Sequence, residues 1–451
     1  MPATTLDSAI FRDIFSTAAM RRIFSDEYRV QCYLDFEAAL ARVQARLGII
    51  PERAAAEIVR HCKVENIDLV KLKAQTERIG YPILGVVQQL VALSADGLGE
   101  YCHWGATTQD VTDTAAILQL RAALELVEQD LVAISAALAG LAKRHRLTPM
   151  AGRSNLQQAV PISFGYKIAT LLAAIQRHRA RLAELRPRVL VGEFGGAAGT
   201  LASLGADGLK VQAALMAELG LGQPVIAWHT VRDGLAEVAC FLGLVTGTLG
   251  KLATDVKLLM QTEVAEVFEP FHEGRGSSST MPQKRNPISC LYIHATAALV
   301  RQNVGAMLEA MVADHERSTG PWEIEWIALP EIFLLASGAL AQSRGLAAGL
   351  EVDAARMRSN LDLTQGLIVS EAVMMGLAPH LGRQRAHDIV YDICRAVVKT
   401  GKPLLDLLVA DKEISRHMTR AELAELADPV NYLGLAGEMV DRVLALEPAL
   451  G

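Results

Sequence analysis

The chain has 451 residues, 51% apolar but only 5% aromatic, with six cysteines and a formal charge of −6. That length exceeds the roughly 250 to 300 residues that one core serves, so two or three domains are expected. A near-balanced charge with pI about 6.0 gives no electrostatic basis for binding nucleic acid or a membrane surface. The cysteines (Cys32, Cys62, Cys102, Cys240, Cys290, Cys394) are scattered singly, which fits reduced core thiols rather than a disulfide framework. The N-terminal MPATTLDSAIFRDIF lacks a basic region followed by an apolar run, and no uncharged apolar stretch reaches the roughly 18 residues of a membrane span. A cytoplasmic protein is expected.

Ala and Leu dominate, and both favour helix, so the chain is expected to be all-α. Up to about residue 110, short helices alternate with turns. Ser25 before Asp26 and Glu27 predicts a helix start, and Tyr33, Leu34, Phe36, Ala39, Leu40 and Val43 recur at helical spacing as far as Gly48. Pro51 opens the next helix, residues 83–98 form a third apolar stretch, and Thr112 and Asp113 are expected to cap the long helix after them. Residues 115–141 are then apolar on nearly every face, a rod of about 40 Å that other helices must bury. Residues 160–185, 235–268, 288–311 and 327–346 read the same way. Five such rods predict a central bundle, and their apolar surface exceeds what one small bundle covers, so an obligate oligomer is expected. The glycine-rich stretch 192–205 has neither a preceding strand nor a Gly-x-Gly-x-x-Gly spacing, and reads as a connector. Shorter helices over 367–377, 386–398 and 404–408 make a last domain. The predicted division is 1–110, 111–350 and 351–451.

Four polar islands interrupt the rods, at residues 105–113, 152–158, 272–287 and 315–326. The third, HEGRGSSSTMPQKRNP, has two glycines, three consecutive serines and a proline ahead of Lys284, Arg285 and Asn286. Glycine frees the backbone and serine competes for its hydrogen bonds, so the segment is a loop, and the two cations and an amide at its end suit an anion site better than a linker. Thr107, Thr108, Gln109, Ser154, Asn155, Gln157 and Gln158 add hydroxyl and amide donors suited to carboxylates, and Arg317 adds charge. His103, His229 and His315 lie near the islands without a spacing that forces them together, and His294 on its apolar rod is expected to be buried packing. No residues stand at metal-ligand spacing, and no cofactor is expected.

SSSTMPQKRNP, from Ser277, resembles the signature loop of the aspartase/fumarase superfamily, which begins Gly-Ser-Ser-x-Met-Pro and continues to Lys-x-Asn. GATTQDVTDT from Gly105 and GRSNLQQAVP from Gly152 resemble the superfamily's first and second motifs, and with GRQRAH from Gly382 the resemblance spans all three proposed domains. FSDEYRVQCYLDFEAALARVQ, WHTVRD and HERSTGPWEIEW are most similar to the branch containing 3-carboxy-cis,cis-muconate cycloisomerase, with adenylosuccinate lyase a nearer cousin than fumarase. The resemblance implies an almost wholly α-helical homotetramer with a twenty-helix core, five helices from each subunit, whose active sites each draw on three subunits. It implies proton transfer at a carbon next to a carboxylate of a small polycarboxylate. Ser278 falls on the position of the general acid or base, Lys284 and Asn286 on the residues that bind a carboxylate and order the loop, and Thr107 and Thr108 on the first-motif hydroxyls.

The chain departs from the pattern in the second motif and at Ser277. Lyases similar to adenylosuccinate lyase have Thr-His in the second motif where this chain has Ser154 and Asn155, and asparagine cannot protonate a leaving amine. The cycloisomerase branch lacks that histidine too but has one where Gln158 stands here, and Ser277 replaces the superfamily's glycine. The reading is therefore a cofactor-free cycloisomerase of the 3-carboxymuconate type. Alternatives are a carbon-nitrogen lyase on an N-substituted aspartate, an epimerase of such an amino-dicarboxylate, or a binding protein that kept the fold and lost the activity.

Overall fold

The computed structural model describes residues 3–270 and 274–446. His272 and Glu273, the first residues of the predicted loop, lie outside the described residues. Helix dominates, and the strands among the described residues make only two two-stranded sheets. The five rods are the helices Thr108–Arg144, Phe164–Val189, Asp233–Leu259, Ile288–Glu309 and Pro321–Gly349. Asp233–Leu259 and Pro321–Gly349 are apolar and long enough to cross a membrane, but 56% and 61% of their most apolar windows are buried within the protein, as in core helices. On Ile288–Glu309, His294 is exposed rather than buried, beside the exposed Leu291, Leu299 and Leu308. That helix keeps an apolar face uncovered in the single chain.

The predicted helix starts at Ser25 and Pro51 are present: the Ser25 side chain accepts from Tyr28 N–H ahead of Asp26–Arg46, and Pro51 precedes Glu52–His61. Thr112 and Asp113 do not cap. Their helix begins at Thr108, and the N–H of the preceding Thr107 donates to Asp110 Oδ2 at 2.8 Å, one half of a capping box. Thr112 instead bonds back to the carbonyls of Thr108 and Gln109, and Asp113 turns to a distant arginine.

The second polar island is a β-hairpin, Pro149–Ser154 paired with Gln157–Ser163, which the polar sequence did not announce. Its two-residue turn is Asn155–Leu156, with φ of +50° and +64°, the left-handed values that a tight hairpin turn needs. Gly152 is required because a Cβ there would lie 2.8 Å from the Val160 carbonyl oxygen.

By contacts the chain forms two compact units. The first comprises Met1–Asp130, His178–Leu249 and Tyr292–Ala341. Its core gathers the predicted Tyr33, Leu34, Phe36, Ala39, Leu40 and Val43 with Ile58, Leu90, Val111 and Phe194. The second comprises Leu131–Arg177, Gly250–Leu291 and Gln342–Gly451, with a core of Ala151, Leu361, Val373, Leu377, Val390 and Leu408.

Within the first unit, Arg232 is buried between two acids. Its guanidinium donates to both Asp113 oxygens at 2.7 and 3.0 Å and to both Glu325 oxygens at 2.8 and 2.5 Å, and Trp322 Nε1 also donates to Asp113. Removing one member of such a buried set leaves charges that neither water nor partner meets. Arg232→Met is expected to cost about 3 to 5 kcal/mol, seen as a clear drop in melting temperature. An unchanged melting curve would show that the two acids find other partners.

Candidate active site

The first-motif residues sit at the start of Thr108–Arg144, in the first unit. Thr107 and Thr108 are half-buried, and Gln109 is 1% exposed. Arg317 comes to them from the fourth polar island. Its Nε donates to Gln109 Oε1 at 2.7 Å, and its Nη1 donates to Thr107 Oγ1 at 3.1 Å and to the Ala197 carbonyl at 3.2 Å. Thr107 and Gln109 thus meet Arg317, more than 200 residues away in sequence, as one cationic cradle with hydroxyl and amide groups beside it. Such a set suits a carboxylate.

Beneath the cradle lies a buried acid. Asp110 is fully buried, and its two oxygens accept from the N–H groups of Thr107 (2.8 Å), Gly195 (2.9 Å) and Gly196 (3.0 Å) and from His229 Nε2 (2.8 Å). Gly196 has φ +73°. Its glycine identity lets the connector bring two successive N–H groups to one carboxylate. His229 also accepts Gln109 Nε2 on its carbonyl at 2.7 Å. Glu193, fully buried, accepts from Trp228 N–H at 2.5 Å through Oε2, while its Oε1 has no hydrogen-bond partner and lies 3.8 Å from His229 Nε2.

Burial disfavours charge on His229, but its hydrogen bond to Asp110 and the field of Glu193 outweigh burial and raise its pKa. For Glu193, burial dominates over the opposing pull of His229 and pushes the carboxyl up to about 7. His103 is likewise raised: burial opposes its charge, and Glu37, 2.6 Å from Nδ1, prevails. Asp110, Glu193 and His229 have the chemistry of metal ligands and come together. Both Asp110 oxygens accept from backbone donors and His229 Nε2 stands at hydrogen-bond distance from one of them, the geometry of a hydrogen-bonded relay.

The second and third motifs lie in the second unit. Ser154 and Asn155 are exposed at the hairpin tip. Gln158 lies lower, donating to the Asn360 carbonyl at 2.7 Å, in a network where Asn360 Nδ2 donates to Glu266 and Arg153 pairs with Glu266 at 2.7 Å. The signature loop is closed at its base. Asn286 donates twice to the Gly276 carbonyl, from its backbone at 3.1 Å and its side chain at 2.9 Å, and Ser277 and Arg285 form an isolated antiparallel bridge. Gly276 (φ +72°) admits this approach, since a Cβ would meet Asn286 O at 2.7 Å. Arg285 reaches the Glu269 carbonyl, at 3.0 Å, and Glu351, and lies over the Phe268 ring. Between these anchors Ser278 is half-buried, and its Oγ accepts from the N–H groups of Thr280 (3.3 Å) and Met281 (3.0 Å). Lys284 is exposed.

A family model described as "Lyase" matches residues 14–301, and one described as "Adenylosuccinate lyase C-terminus" matches residues 366–443. The chain belongs to the aspartase/fumarase superfamily. Within it, the chain is 58% identical to trans-aconitate decarboxylase 1 of Mycosarcoma maydis, over 99% of this chain and 90% of that protein. It is 49% identical to 3-carboxy-cis,cis-muconate cycloisomerase of Pseudomonas aeruginosa, over 98% and 97%. Among solved structures, the 3-carboxy-cis,cis-muconate lactonizing enzyme of Pseudomonas putida is 44% identical and matches with a TM-score of 0.93, covering 98% of this chain and 100% of that one. These superfamily relatives are named as enzymes, and the fold here is theirs.

Sequence reasoning missed Asp110, Glu193 and Asn360. Asp110 had a local signal, the Thr-x-x-Asp of a capping box beginning at Thr107. Glu193 had none, since its neighbours in space are 35 residues away or more.

Because the folded-state pKa of Glu193 lies above the ordinary value of 4.5, the folded protein holds a proton that the unfolded chain has lost between pH 4.5 and about 7. Stability from this group is full below pH 4.5 and lost as pH rises through about 7. The loss is about 3 kcal/mol, at about 1.36 kcal/mol for each pH unit that separates the folded and unfolded pKa values. Glu193→Gln, neutral at every pH, should therefore raise the melting temperature at pH 8 and leave it nearly unchanged at pH 5. An equal effect at both values would mean that Glu193 does not titrate.

Proposed function

We propose that the protein is an enzyme that moves a proton at the carbon next to a carboxylate of a small unsaturated polycarboxylate, with Ser278 exchanging that proton. The observation that carries this reading is the pair of N–H groups, of Thr280 and Met281, directed at Ser278 Oγ. Serine alone is a poor base. Donors already aimed at the oxygen lower the cost of the alkoxide, and Lys284 is placed on the same loop to add positive charge. Thr107, Thr108, Gln109 and Arg317 hold one carboxylate in this reading; Ser154, Asn155 and Gln158 contact another part of the substrate, and Lys284 with Asn286 hold a second carboxylate. In the proposed homotetramer, these three motifs come from different subunits, and the uncovered face of Ile288–Glu309 is where helices of other subunits pack.

The reaction we favour is cycloisomerisation of a 3-carboxymuconate-type substrate. A carboxylate oxygen adds to a carbon-carbon double bond, and the carbon beside another carboxylate takes a proton. The full-length similarity to the cycloisomerases supports it. Asn155 supports it too, being unable to protonate an amine as a carbon-nitrogen lyase requires. The 58% identity to trans-aconitate decarboxylase favours a second reading, loss of CO2 from an aconitate-type substrate, in which the electron pair of the broken carbon-carbon bond forms a new double bond and the pair of the old one takes a proton at its far carbon, beside a remaining carboxylate. Both substrates are unsaturated tricarboxylates, and both reactions deliver a proton beside a carboxylate.

Incubation with 3-carboxy-cis,cis-muconate should bleach its diene absorbance, and incubation with trans-aconitate should release CO2 if the second reading holds. Turnover of neither tricarboxylate, with fumarate appearing from N-substituted aspartates, would replace both readings with a lyase. Ser278→Ala should leave assembly intact and lower turnover by about 100-fold or more. A near-normal rate would place the proton-transferring group elsewhere.

A further inference from the structure

Resting on that functional reading, we propose that Glu193, acting through His229 and Asp110, is a positioning residue for the carboxylate cradle, and that the proton it carries sets the cradle's affinity for an anionic substrate. The connection is continuous. Arg317 docks on Thr107, Gln109 and Ala197, and the segments bearing these residues are the ones Asp110 ties together through the N–H groups of Thr107, Gly195 and Gly196. The remaining donor to Asp110 is His229, whose carbonyl also fixes Gln109. Glu193 Oε1 stands 3.8 Å from the same His229 nitrogen, fully buried and without a hydrogen bond of its own.

Charge counting shows what the proton does. Facing one another here are Asp110 and Asp113 from Thr108–Arg144, Glu325 from Pro321–Gly349, His229, Arg232, and Arg317. His103 with Glu37 stands nearby as a separate pair. With Glu193 protonated, it adds no charge to the set, and an arriving substrate carboxylate meets only Asp110, Asp113, Glu325, Arg232, Arg317 and the hydrogen-bonded His229. With Glu193 ionised, the set carries one extra negative charge, and His229 is shared between two carboxylates instead of being committed to Asp110. In a site of low dielectric, that excess repels the substrate and loosens the segments on which Arg317 rests. The pKa of Glu193, about 7, places the change in the neutral range.

The test is calorimetric titration of the assembled protein with tricarballylate, a saturated tricarboxylate, between about pH 6.5 and 8.5, where its carboxyl groups are essentially ionised. Wild type should bind about tenfold more weakly at the upper end of that range than at the lower, the effect of roughly one screened charge. Glu193→Gln keeps the side-chain shape and the acceptor for Trp228 but cannot ionise, and should bind at all pH values as wild type does at the lower end. His229→Gln can still donate to Asp110 without charge, and should bind about tenfold or more weakly throughout, with circular dichroism and assembly unchanged. A purely structural Glu193 would leave the pH profile of Glu193→Gln like that of wild type, and that result overturns the inference alone, as does wild-type affinity in His229→Gln. Absence of tricarboxylate binding by wild type at the lower end overturns the functional reading, and the inference with it.

Discussion

A carboxylate shut away from water must be met by donors on every side, and Asp110 satisfies that demand by drawing the chain around itself. Its four donors come from three stretches of sequence: the turn before the long helix Thr108–Arg144, the glycine-rich connector and the His229 segment. Each donor fixes a piece of backbone that carries something else. The Thr107 turn carries the hydroxyl on which Arg317 rests, the connector carries the Ala197 carbonyl, and His229 holds Gln109. The geometry of the cradle is thus a consequence of one buried charge being neutralised. Arg232, between Asp113 and Glu325, repeats the arrangement one helical turn further on.

The signature loop works by the opposite means. Its base is fastened by Asn286 on Gly276 and by Arg285 on the Glu269 and Glu351 side, while Ser278 is carried on a turn whose own N–H groups face its oxygen. Donors from the backbone cost no reorganisation when charge develops on the oxygen. In the proposed mechanism the loop supplies the proton-transferring group, the cradle supplies the carboxylate anchor, and the hairpin tip at Asn155 decides which chemistry accompanies the proton. Asn155 is exposed at that tip, in the left-handed conformation a two-residue hairpin turn requires.

The relatives named as a decarboxylase and a cycloisomerase are 58% and 49% identical to the chain over nearly its whole length. Moving a proton beside a carboxylate can be coupled to ring closure or to loss of CO2, because both pass through electron density next to a carbonyl that the site must accommodate.

Much of this was legible in the sequence because it rests on local rules. Five apolar rods arise from runs of Ala and Leu, the helix starts at Ser25 and Pro51 from capping chemistry, and the loop from its glycines, serines and proline. The hairpin at Pro149–Ser154 was not, since its residues alternate too briefly and its turn has no glycine. Thr112 and Asp113 read as caps because their residue types favour that role, but Arg232 and Trp322, more than a hundred residues away, claim Asp113 for the interior. His294 read as core, and the helix turns it outward. The sequence by itself determined the helices, the polar breaks between them and the residue types available for chemistry, because each depends on neighbours within a turn or two. Only the tertiary structure decided which acid is buried, which cation meets it and which side chains share a cradle, because a buried charge is stable only where partners from distant segments arrive together.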